Sequence, residues 1–175
     1  MNIEIGKIWR RVLFIVAAVF HLSMVSALEL GESLPEVSAL NQDGERFSLG
    51  EHGEREFTFI FFYPKAETRG CIMQVCSLRD AYADLSERGV SVIGVSVDGV
   101  AEQKHFHENR GLPYPLIADF DRVVIEAFGV EVSEKGYAKR QAYLFRSGVL
   151  VWKDESASTQ EQAADVLAAI EELKD

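Results

Sequence analysis

Residues 57–63, Phe-Thr-Phe-Ile-Phe-Phe-Tyr, form an almost unbroken apolar run. A segment apolar on both faces reads as a central strand covered by helices. Residues 90–97 read as a second buried strand. Between them, Val75, Leu78, Tyr82 and Leu85 recur at helical spacing within residues 71–88, and Gly89 supplies a stop. Further on, the pattern predicts a helix over 101–109, a short strand over 116–118 and a short helix over 122–128 ending at Gly129. Residues 142–145 and 149–152 read as strands around Ser147-Gly148. Residues 159–173 read as a closing amphipathic helix with Val166, Leu167, Ile170 and Leu173 inward. Before the first buried strand, residues 34–49 carry Asn41-Gln-Asp-Gly44 in their middle and read as a small hairpin. Strands alternating with helices, then a late hairpin, predict an α/β fold: a central mixed β-sheet flanked by helices, with an N-terminal β-hairpin.

The first 27 residues follow a different pattern. Lys7, Arg10 and Arg11 precede an apolar run over 12–25, and Val25-Ser26-Ala27 ends it with small residues. This is the layout of a cleaved export signal, and the run is short for a membrane span of about 20 residues. Residues 1–27 are therefore expected to be a signal peptide and 28–175 a single domain. The expected location is outside the cytoplasm, in the periplasm. An uncleaved segment anchoring the protein to a membrane is the alternative.

The chain has 175 residues and a formal net charge of −10. Loss of residues 1–27 removes three bases and one acid, so the remainder is more acidic still. Such a surface repels nucleic acid and anionic lipid. No nucleic-acid partner is expected, nor a stable membrane association once the signal is removed.

The chemistry concentrates after the first buried strand. The chain's two cysteines, Cys71 and Cys76, lie five positions apart at the start of the predicted helix. A thiolate is the reactive form, and an ordinary thiol with a pKa of about 8.5 supplies little of it near neutrality. A helix N-terminus favours an anion. Thr68 can direct its hydroxyl to the sulfur. Gly70 lets backbone amides and a small substrate approach closely. Pro64 stiffens the strand exit and can shield the thiol.

Five residues along a helix amount to a rise of about 7.5 Å, which sets the two Cα atoms roughly 8–9 Å apart. A disulfide closes only within about 7 Å. A bridge that forms when the helix opens suits this spacing. If the segment is not helical, a static structural bridge stands. The four histidines form no metal constellation: His21 is in the leader, His52 in a loop, and His105 and His107 are two apart on a predicted helix and so share no face.

Taken together, these residues resemble the peroxiredoxins, and among them the bacterioferritin-comigratory or Q-type subgroup with two cysteines in one helix. The family pattern Pro-x-x-x-Thr-x-x-Cys matches Pro64, Thr68 and Cys71. The subgroup's second cysteine matches Cys76, and its Leu-Arg-Asp matches Leu78-Arg79-Asp80. An arginine ahead of a late strand matches Arg140, and similarity runs over residues 31–175.

The resemblance implies a thioredoxin-like fold and reduction of hydrogen peroxide and organic hydroperoxides. It implies Cys71 as the attacking sulfur and Cys76 as the resolving one, joined in an intramolecular Cys71–Cys76 disulfide. Thr68, Pro64 and Arg140 would complete the catalytic set, with Gly70 contributing backbone and Arg79 support. It implies recycling by a thioredoxin-like dithiol donor, no cofactor and no metal, and a protein that works as a monomer. Arg69 stands where the subgroup usually has proline, which adds charge beside the thiol and loosens the loop. Two other readings remain: an exported thiol–disulfide oxidoreductase, and a non-enzymatic binding domain with a structural disulfide. The first usually carries a closer cysteine pair.

Overall fold

The computed structural model describes residues 27–173. Residues 1–26 of the leader expected over 1–27 lie outside the described residues.

The elements are β1 (Ser38–Asn41), β2 (Arg46–Ser48), β3 (Phe57–Phe62), α1 (Arg69–Asp80), α2 (Tyr82–Glu87), β4 (Val90–Ser96), α3 (Val100–Arg110), β5 (Leu116–Ala118), α4 (Val123–Ala127), β6 (Gln141–Arg146), β7 (Val149–Asp154) and α5 (Gln162–Glu172). The strands form one mixed sheet in the order β2-β1-β5-β4-β3-β6-β7. Strands β3, β4 and β5 are parallel, and the others join antiparallel. The expected mixed sheet flanked by helices is therefore present. Strands β1 and β2 make the expected hairpin. Asn41 Oδ1 accepts the Asp43 and Glu45 amides at 2.9 Å each, and Gly44 takes φ +77°.

Strand β3 explains the two-sided core. Its residues alternate, so Phe57, Phe59 and Phe61 face one side and Ile60 and Phe62 the other. The first side packs on Val75 and Leu78 of α1, Phe106 of α3 and Val166 and Ile170 of α5. The second packs on Val124 and Ile125 of α4 and on Phe128. All six residues of β3 are buried. Each large aliphatic or aromatic side chain buried here contributes about 1.5–3 kcal/mol, which makes β3 a rigid base for the loop that follows it.

Two helices differ from expectation. The single helix predicted over 71–88 breaks at Ala81 (φ −94°, ψ 5°) into α1 and α2. Neither glycine nor proline signals the break. It lets Tyr82 pack its ring on Tyr114, centroids 5.9 Å apart, while Leu78 and Leu85 both stay buried. The last helix begins at Gln162 rather than Thr159. Ser158 Oγ accepts the Gln160 and Glu161 amides at 3.2 and 3.0 Å, a side-chain turn that competes with helix formation.

Candidate active site

The parallel strands β3 and β4 both end at one rim of the sheet, and the loop after β3 carries Pro64 to Thr68 into α1. Tyr63 still donates to Val95 O at 3.0 Å; Pro64 has no N–H, so the ladder stops there. Asp98, just past β4, holds the loop: its Oδ2 accepts the Ala66 amide and the Ser96 hydroxyl, both at 2.7 Å. Behind it, Gln103 donates to Ser96 Oγ at 2.9 Å and to Ile117 O at 2.8 Å, and accepts from the Tyr63 hydroxyl. Burial pushes the Tyr63 phenol well above its ordinary range, so it stays a neutral donor.

Glu67 adopts φ +58°, a left-handed conformation that costs a non-glycine residue about 1 kcal/mol. Its carboxylate pairs with Arg110 at the end of α3 and accepts from Asn109 Nδ2 at 3.4 Å. Burial opposes ionisation there, but hydrogen bonds from Arg110 and Asn109 and the Arg110 charge outweigh it and hold the carboxyl below its usual range. This turn aims the chain so that α1 starts at Arg69.

Cys71 is the third residue of α1, in its first turn, and is fully buried against Tyr63, Ala66 and Val75. Arg140, immediately before β6, points Nη2 at Cys71 Sγ across 3.6 Å. Its Nη1 donates to Gln74 Oε1, and Gln74 Nε2 donates to Gln162 Oε1 at 2.7 Å. Residues 69 positions apart in sequence thus meet at the sulfur. Gly70 makes room for this: a Cβ there would stand 3.3 Å from Arg140 Nη2 and 3.5 Å from Thr159 Cγ2. An anion at Sγ would meet a guanidinium and the positive end of a helix together.

The expected bond from the Thr68 hydroxyl to the sulfur is not formed. Thr68 is exposed, and its single hydroxyl proton goes to Lys65 O at 2.9 Å. Thr68 instead acts as the extended N-cap residue, with Ile72 N donating to its carbonyl at 2.9 Å. Pro64 is half-buried at the strand exit, and Arg69 is exposed at the first position of α1.

Cys76 is half-buried on the same helix, and both cysteines are free thiols. Arg79 reaches to the end of α3. It pairs with Asp80 at 2.7 Å and donates to Arg110 O at 2.8 Å, so the end of α3 holds both the Glu67 turn and the far part of α1. The exposed Arg79–Asp80 pair itself contributes little. His105 meets Asn109 at 2.8 Å on the surface. Among the described residues, no group of three or more His, Cys, Asp or Glu side chains could hold a metal ion.

Sequence reasoning missed Gln74, Gln162, Asp98 and Glu67. Gln74 alone left a signal: it follows Cys71 by three positions and shares its helix face.

Residues 30–153 match the family model described as the AhpC/TSA family. The chain is 39% identical over 107 residues to peroxiredoxin Bcp of Escherichia coli, covering 61% of this chain and 67% of that one. It superposes on the crystal structure of peroxidoxin BcpB from Mycobacterium tuberculosis with a TM-score of 0.78 at 27% identity, covering 85% and 99% of the two chains. The bacterioferritin comigratory protein of Xanthomonas campestris, described for its alkyl peroxide reduction activity, has the same fold: TM-score 0.75 at 23% identity, covering 84% and 100%.

Proposed function

Since the chain belongs to the AhpC/TSA family, within its Bcp/Q peroxiredoxin subgroup, and is a thiol peroxidase, we propose that Cys71 is the sulfur that attacks peroxide and Cys76 the one that resolves it. The observation that carries this reading is the buried Cys71 Sγ facing Arg140 Nη2 at 3.6 Å in the first turn of α1.

The Cys71 thiolate attacks one oxygen of hydrogen peroxide or an organic hydroperoxide. An S–O bond forms, the O–O bond breaks, and water or an alcohol leaves after taking a proton. The sulfur, oxidised by two electrons, becomes a sulfenic acid. Arg140 stabilises negative charge as the O–O bond breaks. The first turns of α1 then open, Cys76 attacks, an S–S bond forms and water leaves. A thioredoxin-like dithiol returns both thiols by exchange and is itself oxidised. Both sulfurs belong to one chain, which supports a monomer as the working unit.

Export is part of the same proposal: residues 1–27 act as a signal peptide and deliver the enzyme to the periplasm, where the dithiol donor must also reside. Cell fractionation with N-terminal analysis of the recovered protein separates this from a membrane-anchored form.

The test of mechanism is a stopped-flow reaction with hydrogen peroxide, followed by mass analysis. The protein should lose two hydrogens as a Cys71–Cys76 bridge forms. Cys71→Ser should consume no peroxide, and Cys76→Ser should accumulate the sulfenic acid. Full activity in Cys71→Ser sinks the assignment.

A further inference from the structure

We propose that Gln162, at the start of α5, is a positioning residue that fixes the aim of Arg140 through Gln74. The inference rests on Cys71 being the attacking sulfur.

Donors and acceptors fix the direction of this network. A guanidinium has only N–H donors, so the group beside Arg140 Nη1 must present an acceptor. Gln74 does so with Oε1. Its amide nitrogen therefore points the other way, into the buried space between α1 and α5, and needs an acceptor there. Gln162 Oε1 supplies it at 2.7 Å. Turning both amides over would put Gln74 Nε2 against the guanidinium, donor facing donor, so the chain of bonds runs in one direction only. Gln74 and Gln162 are both fully buried. Among the described residues, Gln162 Nε2 has no hydrogen-bond partner, although it too is buried. Leaving it so costs stability, and the amide's one bond is the oxygen's bond to Gln74. Without that acceptor the Gln74 amide is free to turn, Arg140 Nη1 loses its anchor, and Nη2 no longer points steadily at Cys71 Sγ. Buried networks of this kind act as a unit.

Two variants test this. Gln162→Met keeps the length and removes the acceptor; Gln162→Glu keeps the acceptor. The second-order rate with hydrogen peroxide is measured with Cys76 in place. The pH profile of Cys71 alkylation is measured in a Cys76→Ser background, where Cys71 is the only thiol. Gln162→Met should slow peroxide reaction about five- to tenfold, the scale of one oriented hydrogen bond, and move the alkylation profile to higher pH. Gln162→Glu should stay within twofold of the parent in both. A packing role alone would lower the thermal midpoint and leave the alkylation profile in place. The proposal is overturned if Gln162→Met leaves both readouts unchanged, or if Gln162→Glu shifts them as far as Gln162→Met. Gln162→Ala, which adds no bulk, is read in the same way should the methionine variant fail to fold. If the parent consumes no peroxide, the proposed function fails, while the alkylation profile still decides the role of Gln162.

Discussion

Arg140 Nη2 stands 3.6 Å from Cys71 Sγ, while the other arm of the same guanidinium is held by Gln74. One planar group thus joins the sulfur to a fixed anchor. A lysine ammonium cannot span both. Arg140→Lys should cut the rate with hydrogen peroxide by about 10²–10³, the range for losing one preorganised donor. Stopped-flow rates at several peroxide concentrations would check it, and a loss under threefold would remove Arg140 from the reacting centre.

Gly70 is the gap through which Arg140 reaches the sulfur. A Cβ there would sit 3.3 Å from Nη2, closer than ordinary contact. Alanine is better than glycine inside a helix by about 0.5–1 kcal/mol. Gly70→Ala should therefore keep or raise the thermal midpoint yet slow peroxide reaction on the order of tenfold. Paired calorimetry and rate measurements separate the two effects; unchanged kinetics would mean that Arg140 adjusts freely.

The segment between β7 and α5 lies along the face of α1 that carries Gly70, Met73, Gln74 and Ser77. Ser77 Oγ donates to Gln160 O at 2.9 Å, and Gln160 Nε2 reaches Met73 Sδ at 3.6 Å. If Cys76 reaches Cys71 by opening of α1, this strap opposes the motion. Ser77→Ala should leave the first peroxide step alone and speed disulfide formation about fivefold, as expected for one hydrogen bond removed. Quenched-flow mass analysis of bridge formation reads it directly.

His52 sets a pH dependence of stability. Its ring stacks on Phe47 with centroids 4.7 Å apart, and its Nδ1 is 3.3 Å from Ser91 Oγ. Burial, then the charge of Arg55, hold its pKa below the ordinary value. The unfolded chain takes up this proton near pH 6.5, while the fold resists until lower pH. Stability is therefore lost as pH falls below about 6.5 through the folded value. Thermal midpoints should decline from about pH 7.5 to 5.5, and less steeply in His52→Gln. Parallel declines in the two proteins would assign the effect to other groups.

Much of this protein is legible in one dimension because its signals are local. The apolar run of β3, the helical spacing through Val75 and Leu78, and the Asn41–Gly44 turn each declare an element by periodicity or turn chemistry. The pattern from Pro64 to Cys76 shows a family, because its chemistry sits on one loop and one helix. The break at Ala81 was not legible, since it depends on how Tyr82 meets Tyr114 from a distant segment. Nor was the bond made by Thr68, whose hydroxyl meets Lys65 O only once the loop is closed.

Sequence alone, then, determined most of the elements and where the reactive residue types lie along the chain. Tertiary structure decided what each group faces. Arg140, Gln74 and Gln162 belong to β6's approach, α1 and α5, and only packing on one side of the sheet brings them to Cys71. Hydrogen bonds act over about 3 Å and depend on direction, so a relay across three elements leaves no pattern in a chain that reports spacing and little else.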